Sequence, residues 1–177
     1  MIRTLLSSGL LFLALTGNAL AAPQKETFRD WAAGLDEVNT GEDLRKTCRA
    51  ETSTSADGGQ TATLAIAIGD GDVLPPDAYP AITISMTAPA PAGEGIPVAF
   101  EIGGKRLDIQ AVGDGKQVTI NNAKETSLTL LRAMAAGSTI DITVAGKPVP
   151  ALSLKGFTAA YRQIGAWCGF PTGDVAK

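Results

Sequence analysis

Ile96-Pro97-Val98-Ala99-Phe100-Glu101-Ile102-Gly103-Gly104-Lys105-Arg106-Leu107-Asp108-Ile109 is the stretch that decides the fold. Ile96, Val98, Phe100 and Ile102 recur at every second position, so an extended chain places all four on one face. Gly103-Gly104 follows, two residues that accept the positive φ of a tight hairpin turn. Beyond the turn Leu107 and Ile109 again share a face. The pattern predicts an antiparallel strand pair with one buried side.

The same period-two pattern extends outward from this hairpin. Upstream, Ile82, Ile84 and Met86 alternate with Thr83, Ser85 and Thr87, and Leu64, Ile66 and Ile68 alternate with Thr63, Ala65 and Ala67. Gly69-Asp70-Gly71-Asp72 with Pro75-Pro76, and the segment Ala88 to Gly95, read as linkers that cannot continue a sheet. Downstream, Gly113-Asp114-Gly115 turns the chain into a strand over 117–121. Ile140, Ile142 and Val144 mark another strand over 139–145, closed by a turn at Gly146-Lys147-Pro148.

Two helices interrupt the strands. Asn122 with Glu125 three residues later resembles a capping box, Leu128, Leu131 and Ala135 repeat at helical spacing, and Gly137 is the stop. A last helix starts near Gly156, where Phe157, Ala160, Tyr161, Ile164 and Cys168 form one stripe, and Gly169 and Pro171 end it. The charged segment 35–46 has residues for a helical turn without an apolar stripe, and 51–60 reads as a polar loop. The expectation is a mainly β, antiparallel β-sandwich-like single domain over 22–177, with one short internal helix and a C-terminal helix; α+β is the alternative.

Residues 1–21 have the three parts of a secretory signal peptide. Arg3 is its only charge, Leu5 to Leu15 is the apolar run, and Ala19-Leu20-Ala21 offers small residues to a signal peptidase, with cleavage after Ala21 or Ala22. The run is shorter than the roughly 20 residues needed to cross a bilayer, and no cysteine stands at the cleavage site to carry lipid. The expected location is periplasmic or secreted, with no stable membrane insertion after cleavage.

The chain has 15 Lys and Arg against 18 Asp and Glu, a net charge of −3, and no histidine. The balance argues against nucleic acid as a partner, because phosphate binding needs clustered cations. The lack of histidine removes Ser-His and Cys-His nucleophile systems and the commonest metal ligand. Carboxylate, Ser-Lys and tyrosine chemistry stay open. The two cysteines, Cys48 and Cys168, read first as a disulfide in an exported chain, ahead of two free thiols or a redox pair. A loop of that length is worth roughly 4–5 kcal/mol in the chain-entropy description.

Phe28-Arg29-Asp30-Trp31, Thr47-Cys48-Arg49-Ala50, and Leu152-Ser153-Leu154-Lys155-Gly156-Phe157-Thr158-Ala159-Ala160 together resemble the opening and closing motifs of the invasion-associated locus B family. A neighbouring group of secreted proteobacterial proteins shares the Cys-Arg-Ala step. The family's cysteine close after the Trp is absent here, where Ala32 to Leu35 follow. The resemblance implies a periplasmic or surface-associated β-sandwich-like domain of a Gram-negative bacterium, and carries no catalytic residues with it.

Arg29 and Trp31 are candidates for an interaction patch, since these types favour interfaces; the simpler reading makes Trp31 an aromatic anchor. Trp167 is expected to pack near the disulfide rather than stack on a ligand, and Lys155 to be solvated. Asp70, Asp72 and Asp77 do not continue as an EF-hand, whose twelfth position would fall on Ala81. No cofactor or metal is expected. Together these observations favour a non-enzymatic binding module for a protein or envelope component. An inhibitor of an envelope or host hydrolase, acting through the 88–95 loop, and a carboxylate-dependent envelope hydrolase are the alternatives.

Overall fold

The computed structural model describes residues 24–56, 58–120 and 123–176; the signal segment and Asn122 of the capping box lie outside them. Among the described residues, ten strands form one antiparallel sheet. They are β1 (Gln24–Phe28), β2 (Trp31–Asn39), β3 (Leu44–Ser55), β4 (Thr61–Gly69), β5 (Ala81–Met86), β6 (Ala92–Ile102), β7 (Lys105–Asp114), β8 (Gln117–Ile120), β9 (Thr139–Val144) and β10 (Lys147–Ser153). Helix α1 (Lys124–Ala136) lies between β8 and β9, and α2 (Phe157–Cys168) follows β10.

The sheet order is β1-β2-β3-β4-β5-β8-β7-β6-β9-β10. The first five strands are a meander, and the next three are a second meander entered from its far side. α1 is the crossover that takes the chain from β8 past β7 and β6 to β9. The mainly β, antiparallel architecture is the one expected, but the two layers are not separate hydrogen-bonded sheets. One continuous sheet rolls until β10 packs across β3 and β4, and α2 lies over β1, β2 and β3. Its two edges are blunted against further pairing, β1 by exposed Lys25 and Glu26 and β10 by Pro148 and Pro150.

The alternating residues named above fill the core: Leu64, Ile66, Ile82, Ile84, Val98, Phe100 and Ile140 are all at most 1% exposed. The Gly103-Gly104 turn joins β6 to β7 with both φ positive, and Ile102 pairs with Lys105 across it.

Four expectations fail locally. The segment 35–46 is the end of β2, a turn, and the start of β3, because Leu35 and Cys48 pair on one buried face while the charges point outward. Residues 51–55 continue β3 with the backbone paired to β4; Glu51, Ser53 and Ser55 line the more exposed face, while Thr52 on the other face is buried and donates to the Asp30 carbonyl at 2.8 Å. Ala92 to Gly95 belong to β6, where a bulge between Gly93 and Ile96 absorbs the glycines. In α1 the buried stripe is Ser127, Leu130, Leu131 and Met134, with Leu128 and Ala135 only half-buried.

α2 follows its expected stripe, with Phe157, Ala160, Tyr161 and Ile164 at 0% exposure. Gly156 makes the entry possible. It takes φ 99°, and a Cβ there would fall 1.7 Å from the Phe28 carbonyl oxygen. Gly169 closes the helix in the left-handed region, its N–H donating to Gly165 O.

Candidate functional site

The two ends of the chain meet first. Trp31 is fully buried, packs edge-on against Phe157 at 5.0 Å, and donates from Nε1 to Ser153 O at 2.9 Å. Asp30 N–H donates to Lys155 O, and the Asp30 carboxylate accepts from Ser153 Oγ at 2.6 Å. Arg29, at φ 56°, is the exposed corner of this turn. The Arg29–Trp31 patch is therefore corrected: the indole is an anchor in the core, because its apolar area outweighs one N–H that finds a carbonyl inside. Lys155 is exposed, as expected.

Cys48 and Cys168 form the disulfide, with Cα atoms 6.2 Å apart. It ties α2 to β3, Cys48 fully buried and Cys168 half-buried beside the partly buried Trp167. A disulfide of this kind fits an oxidising compartment. No helix among the described residues is long and apolar enough to cross a membrane.

The aspartates after β4 are committed to the backbone. The Asp70 carboxylate accepts from Lys46 N–H, and Asp72 Oδ2 accepts from Gly69 N–H at 2.7 Å. Asp77 is exposed in the next turn, and no metal-ligating cluster occurs among the described residues. In the 88–95 segment Ala90 is buried, with its N–H donating to Gly115 O, residues 92–95 belong to β6, and all but Ala90 and Pro91 are exposed.

One buried polar cluster was not legible beforehand. The Tyr79 hydroxyl donates to Asp174 Oδ2. Burial and that bond push the Tyr79 phenol up to about 12. Tyr161 is also raised, by burial first and then by the Asp174 charge and Tyr79. Arg132 Nε donates to the Asp174 carbonyl at 2.7 Å, locking α1 to the segment after α2. These groups hold the C-terminal turn in place.

The surface feature with recognition geometry is a trough between β7 and α1. Its larger part, about 460 Å³, is lined by Ile102, Lys105, Leu107, Arg132 and Ala133, among others. A second part of about 250 Å³ shares Leu107 and Thr129 with it and adds Ile109 and Glu125. Half-buried Leu107 and Ile109 give an apolar floor. Lys105 and Arg132 supply cations at one end, and Glu125 an anion at the other. The volume lies within the range of ligand-binding clefts. Of these residues only Leu107 and Ile109 were marked by periodicity; α1 brings the rest to them across the fold.

Comparisons with protein families, curated proteins and solved structures return no significant match for this chain.

Proposed function

We propose that this protein is a non-enzymatic binding module of the periplasm or of the secreted fraction, which presents the β7–α1 trough to a protein component of the envelope. The observation that carries the reading is the trough itself, an apolar floor between oppositely charged ends on a rigid strand and helix. Clefts of this composition orient a partner by charge and hold it by apolar area. The Cys48–Cys168 disulfide supports the compartment, and the resemblance of the Phe28–Trp31 and Leu152–Ala160 segments to the invasion-associated locus B family supports it too.

The test is retention of envelope proteins on the immobilised protein, compared with Leu107→Asp. A charge on the floor costs desolvation, and because half-buried Leu107 also packs against the core, an unchanged near-ultraviolet spectrum is required of the variant first. A retained component lost on Leu107→Asp is the expected result. Retention that ignores the substitution, or none across salt and pH, overturns the reading.

A further inference from the structure

Cys48 and Cys168 are joined but not equally placed. Cys48 is fully buried on β3, while Cys168, at the last position of α2, is half-buried. Cys48 stands opposite Ile68 in the β3–β4 register, and Ile68 and Cys168 both line a cavity of about 110 Å³. That is room for roughly three or four waters at about 30 Å³ each, enough for the reacting end of a small thiol. Exposed Asp70, Gly71, Asp72 and Leu74 border it, so it opens beside the β4–β5 loop. Its charges do not balance. The Lys46 ammonium is paired with Glu37 at 3.0 Å, whereas among the described residues the Asp70 and Asp72 carboxylates meet only backbone N–H groups, those of Lys46 and Gly69.

We propose that Cys168 is a thiol-exchange site, the sulfur at which the disulfide is opened from this cavity by a thiolate on a neutral or cationic carrier. The attacking sulfur bonds to Cys168 Sγ as the Sγ–Sγ bond breaks. The bonding pair leaves with Cys48 Sγ, which takes up one proton, matching the one the incoming thiol released on ionising. The incoming thiol is oxidised to a mixed disulfide and Cys48 is reduced to a thiol, so electrons balance within the pair. Burial closes the other route, attack at Cys48. The fold need not open for this. Helix α2 stays seated through Phe157, Ala160, Tyr161 and Ile164, all fully buried, and through the contact of Trp31 with Phe157. Cys48 is therefore held beside the adduct, and its return attack on Cys168 Sγ releases the carrier. The exchange resolves itself. Asp70 and Asp72 set its preference, because carboxylates without a cation repel an anionic carrier and attract a cationic one.

The experiment follows adduct formation by intact mass in native buffer, with cystamine as the cationic reagent and oxidised glutathione as the anionic one. Cys48→Ala leaves the Cys168 thiol, which should react with both. Its rate with cystamine should exceed that with glutathione about tenfold at low ionic strength, each rate divided by that of the denatured variant, and the ratio should fall toward one in 1 M salt. Asp70→Asn with Asp72→Asn in that background keeps a side-chain carbonyl for each backbone N–H and should narrow the ratio. Cys168→Ala leaves Cys48, which should stay unmodified until denaturant is added. In the unaltered protein, which needs no variant to fold, excess cysteamine and an acid quench should place the adduct on the peptide carrying Cys168. Adduct on Cys48, equal rates for the two single variants, a ratio indifferent to salt and to the aspartates, or no adduct on the native protein overturns the proposal.

Discussion

Tyr79 and Tyr161 set how the protein answers to alkali. Both phenols are raised above the ordinary value of 10.0, Tyr79 to about 12, because burial penalises the phenolate and the Asp174 carboxylate repels it. A folded-state pKa above the unfolded one means the folded chain holds its protons longer. The stabilisation is then fully present below pH 10 and is lost as pH rises from about 10 through about 12. Denaturant midpoints should therefore be flat from pH 7 to 9 and fall steeply between pH 10 and 12. Tyr79→Phe should shrink that fall, and an unchanged slope in Tyr79→Phe would remove Tyr79 from the account. None of this was legible in sequence. Tyr79 stands next to Pro80, Asp174 in a short turn, and their meeting depends on how α2 docks.

Among the elements, the entry to α2 makes the most exacting demand on residue type. Gly156→Ala forces a side chain into the left-handed region and against the Phe28 carbonyl, with a cost of at least about 1–3 kcal/mol from backbone strain alone. Urea unfolding should show that loss with an unchanged m-value; a neutral Gly156→Ala would mean that the β1–β2 turn can withdraw without cost. Strands whose apolar residues alternate, β4, β5, β6 and β9, were readable because burial on one face imposes period two. The polar half of β3 and the first residues of β6 were not, since pairing with neighbours, and a bulge, hold strands whose own composition argues for a loop. In α1 the apolar residues 128, 130, 131, 134 and 135 allow two stripes, and contact with the sheet selects the one running through Leu130 and Met134. Of the trough, only Leu107 and Ile109 were marked by their alternation; Arg132 and Glu125 reach it only through the crossover.

For the whole molecule, the disulfide and the Trp31–Ser153–Phe157 contacts do the same work twice, joining the first strands to the last helix. Replacing Cys48 and Cys168 by serine should lower stability by about 2–5 kcal/mol in guanidinium unfolding while the near-ultraviolet spectrum of the aromatic core persists. Native-like stability in the double variant would place the closure entirely on Trp31 and its partners. The pairing of Phe28–Trp31 with Ser153–Phe157 also orders events at birth. A nascent chain reaches Phe157 only after all ten strands have been synthesised, so until then the β1–β2 hairpin has no seat for its indole and Cys48 no partner. Closure of the two ends therefore waits for the last helix.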